Sequence, residues 1–390
     1  MTITFKILCE TLRLENEQQY DLLKTWCECH VSTDISYDGS AADQYISYLA
    51  LAKQYLDYFL PNIPVNPNEV SAQFNGMTCV QYAALNGYDH YILNLTGVAS
   101  HAFNQAASGG MTPLHLAAAG GFPHVIRALL KFGADATQTN QSNQLPIFSA
   151  LFVPMFHDET LIGKKAWIFT TLNTKAPGLL EHQDSSGDTV FHLMAVHGFK
   201  RLLTEYMIIV PKALFISNNR MRYPIHTAIL NNQPDIVELL LSVPDMAMLA
   251  DAKGQGALHY AARYGSPAIV KQCCDATREI NCIDNANRTP LMLAISSQNI
   301  EAAKILVTQG ADVTMTDEQG FSILHLAIDT LDTDLIAWVV NHMAMHINQV
   351  DDHGHTALAH LIQYHADLAN FESIERLLLD HGAVSKQIRV

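Results

Sequence analysis

An all-α solenoid is the fold class this sequence predicts, and three observations predict it. One apolar position recurs at Val80, Leu114, Ile147, Phe191, Ile225, Leu258, Leu291, Leu324 and Leu358, at steps of 33 or 34 residues with a single longer step of 44. Three positions after it stand Ala83, Ala117, Ala150, Ala228, Ala261, Ala294 and Ala327, with Met194 and Leu361 as exceptions. A small side chain there lets neighbouring helices approach closely. Four positions before it stand Gly76, Gly110, Gly187, Gly254, Gly320 and Gly354, with Asn143 and Asn287 in two other places. Gly and Asn tolerate the left-handed backbone of a tight turn. Three residues further back, Asn140, Asp184, Asn218, Asp251, Asp284, Asp317 and Asp351 can close an Asx turn. The unit is turn, helix, turn, helix. One such unit cannot bury both helical faces, so it needs stacked neighbours, and about nine are present.

Composition agrees with a folded chain. Of 390 residues 49% are hydrophobic and 16% charged, the balance of a globular protein. No run of eighteen apolar residues occurs; Phe148–Phe156 and Tyr206–Ile216 are short and carry prolines. The opening residues place Glu10, Arg13, Glu15 and Glu17 straight after a short apolar patch, unlike a signal peptide. Seven scattered cysteines, an odd number, read as free thiols in a reducing cytoplasm. A formal charge of −15 argues against general nucleic-acid or anionic-membrane binding.

Taken in order, residues 1–70 do not repeat. Phe5–Leu14, Gln18–Cys29 and Ala41–Leu60 read as helices, the last ended by Pro61, Pro64 and Pro67. Tyr45, Tyr48, Leu51, Ala52, Tyr55, Leu56 and Phe59 share a face of the third, which either packs on the first repeat or receives a partner helix. A helical N-terminal cap is expected here, since the first repeat would otherwise expose an apolar face. The array runs over 71–385, followed by a short tail at 386–390. Its clearest unit is Gly110–Asn140. A first helix follows Thr112-Pro113, a second carries Val125, Ile126, Leu129 and Leu130 on one face, and Gly133 sits at a helix C-cap.

The period and the tetrapeptides Thr112-Pro113-Leu114-His115, Tyr223-Pro224-Ile225-His226, Gly256-Ala257-Leu258-His259 and Ser322-Ile323-Leu324-His325 resemble the ankyrin repeat. The resemblance covers about four fifths of the chain. It implies helix pairs stacked into a curved solenoid. Partners would dock on hairpin tips and inner helices, and most members bind proteins and catalyse nothing. It also implies that His115, His192, His226, His259 and His325 tie adjacent turns together.

Three departures from the pattern stand out. The third unit (140–183) is degenerate, with Leu145-Pro146-Ile147-Phe148 in place of the signature and about eleven extra residues. His157–Leu172 reads as a lengthened second helix, capped by Asp158. It is either a tolerated surface insertion or a recognition feature built from Lys164, Lys165 and Trp167. The fifth unit has Met221 at the left-handed turn position, flanked by Arg220 and Arg222, which marks a functional or distorted tip. The ninth unit carries extra residues around Gln363–Glu372 and is expected to cap the array.

The tips allow a binding reading residue by residue. Arg220, Arg222, Lys253 and Arg288 fall in one row over units five to seven, with Phe321 beside them and Gln255 and His355 among the exposed positions. Such a row suits an acidic segment of a protein partner, because a guanidinium holds a carboxylate bidentately; solvated tip charges are the alternative.

No cofactor or metal is expected. His342, His346, His353, His355 and His360 cluster in sequence, but no second His pair or Cys at metal spacing accompanies them. Cys27, Cys29, Cys273 and Cys274 lack a zinc or redox spacing, and phosphate-loop, HExxH and GxSxG motifs are missing.

The expected function is a non-enzymatic, monomeric protein-binding scaffold or adaptor in the cytoplasm. A secreted bacterial effector that binds a host protein is the first alternative. An enzyme using the N-terminal region or the histidine cluster is the second.

Overall fold

The computed structural model describes residues 73–74, 77–95, 98–151, 159–176, 178–342, 346–365 and 370–385. The N-terminal cap expected over 1–70, the Asp158 cap and the tail at 386–390 lie outside these residues. The chain divides into two compact units, 1–186 and 187–390. In the first, a short antiparallel ribbon of β1 (Gln73–Phe74) and β2 (Met77–Thr78) precedes three helix pairs. These are α1 (Cys79–Asn86) with α2 (Asp89–Leu93), α3 (Pro113–Ala119) with α4 (Pro123–Lys131), and α5 (Pro146–Ser149) with α6 (Glu159–Lys175). The second unit holds six pairs. They begin with α7 (Val190–His197) and α8 (Lys200–Ile209), α9 (Pro224–Leu230) and α10 (Pro234–Leu241), and α11 (Ala257–Tyr264) and α12 (Pro267–Ala276). They end with α13 (Pro290–Ser296) and α14 (Ile300–Thr308), α15 (Ile323–Thr330) and α16 (Thr333–His342), and α17 (Ala357–His365) and α18 (Phe371–Asp380).

Within each compact unit, first helices pack against first helices of the adjoining repeats, α1–α3–α5 and α7–α9–α11–α13–α15–α17. The recurring apolar row is what they bury: Leu114 is 1% exposed, Ile147, Phe191 and Ile225 are 0%, and Leu258 is 2%. Each such burial stabilises by ~2 kcal/mol. Ala117, Ala228, Ala261, Ala294 and Ala327 are also fully covered, which is why a larger side chain is rare there. The helix starts follow from the sequence as well: Thr112 and Thr289 accept from the N–H groups of His115 and Met292, and Pro113 and Pro290 occupy the first helical position.

The inserted third-unit segment is a seventeen-residue second helix, α6, packed on α4. Lys165, Ile168, Phe169 and Leu172 recur at i, i+3, i+4 and i+7 and form its buried face. Lys165, expected on the surface, is therefore only 2% exposed, and burial pushes its ammonium down to about 8. Lys164, one position round the helix, is exposed.

The turn positions take up the left-handed backbone the sequence demands. Gly187, Gly254, Gly320 and Gly354 lie at φ 75–78°, Asn143 at 56° and Asn287 at 57°. A Cβ at Gly254 would come within 2.4 Å of Asn285 Oδ1 and 2.9 Å of its backbone nitrogen, so the adjoining tip abuts this position. Met221 occupies the same conformation at φ 54° without the benefit of a missing Cβ. Other adjoining tips within each compact unit share a backbone bond, but among the described residues the 252 N–H does not reach the 220 carbonyl. The Met221 turn keeps its internal bonds, Asn218 N to Arg222 O and Met221 N to Asn218 O, both at 2.8 Å, and Met221→Gly is expected to raise stability by ~1 kcal/mol by relieving the left-handed backbone. Urea denaturation of the two proteins checks this; an unchanged or lowered midpoint would show that the methionine contributes more by its side chain than it costs in backbone strain.

Candidate functional site

The tips share one construction. An Asn or Asp carboxyl or amide oxygen accepts from the N–H groups two and four residues on. Asn218 does so from Arg220 and Arg222 at 3.0 and 3.0 Å, Asp251 from Lys253 and Gln255 at 2.8 and 2.9 Å, and Asp351 from His353 and His355 at 2.9 and 2.8 Å. Backbone bonds then join tip to tip: Asn285 N to Lys253 O at 2.9 Å, Glu318 N to Ala286 O at 3.0 Å and Asp352 N to Gln319 O at 3.1 Å. The first compact unit repeats the device, Gln141 N to Gly109 O and Ser185 N to Ser142 O, both at 2.9 Å. Where these bonds form, neighbouring turns are held in one conformation before anything binds them; among the described residues the turns of Arg220 and Lys253 share none.

The signature histidines lock the turns from beneath. His115 Nε2 donates to Gln144 O at 2.9 Å, His192 to Arg222 O at 2.9 Å, His259 to Arg288 O at 3.1 Å and His325 to His355 O at 3.1 Å. Their Nδ1 atoms accept from the backbone N–H at the helix start, Thr112, Thr189, Gly256 and Ser322. An N–H can only donate, so the proton sits on Nε2 and each ring is neutral. Burial lowers the pKa of His115, His259 and His325, and takes His226 to about 4. His226 breaks the pattern by donating to Leu249 O at 3.1 Å.

The predicted tip residues divide sharply. Arg220 and Lys253 are exposed, and neither side chain has a hydrogen bond or ion pair among the described residues. Residues four on from the Asx position turn inward instead, because their N–H is bound to the Asx oxygen and their side chains reach toward the Asx network. Gln144 donates to Asp184 at 3.1 Å and Gln255 to Asp284 at 2.8 Å; Asp188 accepts from Asn218 at 2.8 Å.

Four positions expected to be exposed follow this inward rule. Gln255 is buried at 4% exposure and His355 at 7%. Arg222 donates to Tyr260, whose hydroxyl donates to Asp251 at 2.7 Å, bridging across the missing backbone rung. Arg288 forks onto Asp284 with Nε at 3.1 Å and Nη2 at 2.8 Å.

The other predicted residues do not join them in one patch. Phe321 is half-buried, stacked on His325 and edge-on to His360. Trp167 lies half-buried under the Arg127 guanidinium, 5.1 Å from its ring centre. Along the exposed positions the charge runs from Arg220 and Lys253 to Glu318 and Asp352, so the edge of the second compact unit is dipolar.

Burial raises the thiols of Cys274 and Cys282 to about 11 and raises that of Cys273 as well, so these cysteines are packing groups rather than thiolate nucleophiles. From the C-terminal histidine cluster, His360 meets Asp329 and His365, two residues the sequence reading passed over.

Comparison with known proteins places the repeats. The family model for ankyrin repeats in three copies matches residues 41–140 and 225–317. The nuclear factor NF-kappa-B p105 subunit of Gallus gallus is 27% identical over 156 residues, 38% of this chain and 16% of that protein. The B-cell lymphoma 3 protein homolog of Mus musculus is 26% identical over 170 residues, 41% of this chain and 38% of that protein. The chain thus spans under two fifths of the length of either. A crystal structure of the ankyrin repeat domain of Bcl-3 aligns with a TM-score of 0.46 and 25% identity, over 51% of this chain and 89% of that one. No helix among the described residues is long and apolar enough to cross a membrane. With the matched segments, the nine-fold recurrence and the histidine-tied turns in agreement, the chain belongs to the ankyrin-repeat proteins.

Proposed function

We propose that the chain is a non-enzymatic protein-binding scaffold acting in the cytoplasm, and that it captures an acidic segment of a partner on the tip edge around Arg220 and Lys253. The observation that carries this is the pre-bonded edge. The turns that carry Arg220 and Lys253 are each fixed by an Asx oxygen, and Lys253 O also accepts from Asn285 N, so little ordering free energy is lost on binding. Two cations whose side chains have no partner among the described residues stand on that edge, on a chain of net charge −15. Arg222 and Arg288 hold the turns that present them rather than meeting the ligand. Lys164 remains available on α6, but Lys165 and Trp167 are engaged inside the fold.

The experiment is a quantitative pull-down from cell lysate with wild type, Arg220→Glu/Lys253→Glu, and Lys271→Glu as a reversal on the outer helix α12. A bound protein should be lost at least tenfold by the double reversal, retained by Lys271→Glu, and released by raised salt, since surface charge contacts are screened. Equal recovery by all three would remove the tip edge as the binding site. Lysates from the source cell and from a candidate host cell are run together, because an effector delivered into a host would use the same edge.

A further inference from the structure

The first helices of the last two repeats carry a cluster that the repeat pattern does not require. Asp329 follows its unit's conserved-spacing apolar residue, Leu324, by five; the equivalent positions elsewhere are Leu85, Ala119, Phe152, Val196, Leu230, Arg263, Ser296 and Gln363, none of them acidic. His360 sits two after Leu358, where the other units have Tyr, Leu, Ser or Thr. Two departures on adjoining helices, α15 and α17, meet in space. His360 Nε2 lies 2.9 Å and His365 Nε2 3.1 Å from the same oxygen, Asp329 Oδ1, and the three donor atoms are all within 4.8 Å of one another.

We propose that Asp329, His360 and His365 form a binding site for a divalent transition-metal cation of the zinc class, clamping the first helix of the last repeat to that of the one before it. Three things on the structure support this. The separations suit it: tetrahedral ligands ~2.0–2.1 Å from zinc stand about 3.3 Å apart, so each histidine needs to move only a few tenths of an ångström from Asp329, and the two imidazole nitrogens already lie within 4.8 Å of each other. His360 is held in place, buried at 5% exposure with the Phe321 ring 5.3 Å and the Tyr364 ring 4.7 Å from its own, as a ligand should be oriented before the metal arrives. Its tautomer is also open. The signature histidines have Nδ1 bound by a backbone N–H, which keeps the proton on Nε2 and bars that atom from ligation. His360 Nε2 donates to the Asp329 carboxylate in the metal-free fold, but its Nδ1 is buried with no hydrogen-bond partner, so on metal binding the proton can move to Nδ1 and leave Nε2 bare.

Two imidazoles and one carboxylate favour zinc, cobalt or nickel over calcium, which takes oxygen ligands. Asp329 is 44% exposed, which leaves water to complete the coordination.

The test uses the full chain, stripped with a chelator and dialysed, then titrated with Zn²⁺ by calorimetry and with Co²⁺ by visible absorption. Wild type and His124→Gln, an exposed histidine on α4, should each bind one Zn²⁺ and gain several degrees in Tm on saturation, because a ligand that binds only the folded form stabilises it. Co²⁺ should give the intense visible band of a four-coordinate site, and excess Ca²⁺ should not displace the metal. Asp329→Asn and His365→Gln, checked for native circular dichroism, should each bind Zn²⁺ at least tenfold more weakly. Absence of saturable Zn²⁺ in wild type overturns the proposal. So does equal affinity in the Asp329 and His365 variants, which would assign the metal to other histidines. Should either variant misfold, the wild-type cobalt spectrum decides: a weak six-coordinate band rejects the site.

Discussion

Lowering the pH from 7 to 4.5 should destabilise the array by several kcal/mol, before the carboxylates of the tips are titrated. His226 is neutral in the fold with its pKa at about 4, against an ordinary value of 6.5. Between those values the unfolded chain binds a proton that the folded chain refuses, so stability falls as pH drops through this window and is fully present above 6.5. For His226 alone the loss at pH 4.5 is about 2–3 kcal/mol. His115, His259 and His325 are lowered in the same direction by burial and add to it. The hydrogen bonds supply a reason beyond desolvation: a protonated Nδ1 would point its N–H at the backbone N–H it now accepts from. The tip acids act lower. Burial opposes ionisation of Asp284 and Asp351, yet the hydrogen bonds they accept still bring both below 3.8, so their contribution is lost only as pH falls through those lower values. Urea midpoints at pH 7, 5.5 and 4.5 separate the two groups. His226→Gln should start less stable and show a shallower slope over this range; a wild-type midpoint that is flat down to pH 4.5 would contradict the neutral-histidine ties.

Removing one tip carboxylate should cost nearly as much. Asp284→Ala is expected to lose about 3 kcal/mol, because it unbonds the Ala286 and Arg288 N–H groups and strands Gln255 Nε2 and the Arg288 fork. The arginine is partly exposed and can turn to water, which keeps the figure from being larger. Asp284→Asn retains an oxygen for both N–H groups, as Asn140 and Asn218 do in their own tips, and should cost only about 1 kcal/mol. Thermal or urea unfolding of the pair measures the difference. Equal losses would mean that the charge on Asp284, rather than the Asx turn, is what stabilises this tip.

The parts of the fold that depend on one repeat were legible in the sequence. Period, buried row, small-residue row and left-handed turn residues all follow from local rules, and even Met221 could be marked as a strained turn. The parts that depend on two repeats were harder. Whether Arg288 faces solvent or Asp284, and whether Gln255 is a ligand-contacting tip or a buried tie, depends on where the neighbouring turn stands. Lys165 is a partial exception: its spacing to Ile168, Phe169 and Leu172 indicated the buried face, and its charge argued the other way. Asp329 was passed over because its partners lie 31 and 36 residues on, at spacings that match no short metal motif.

The claim on which the functional reading rests is that the tips form a pre-organised edge. Amide hydrogen exchange of the free chain tests it most directly, read on the segments containing Asn285, Glu318 and Asp352 and on the segment containing Ala252. Protection of the first three should approach that of their flanking helices, with faster exchange at Ala252, whose N–H makes no bond to the neighbouring tip among the described residues. Exchange of all four at the rate of an unstructured loop would contradict it, and the edge would then have to be ordered by whatever binds there.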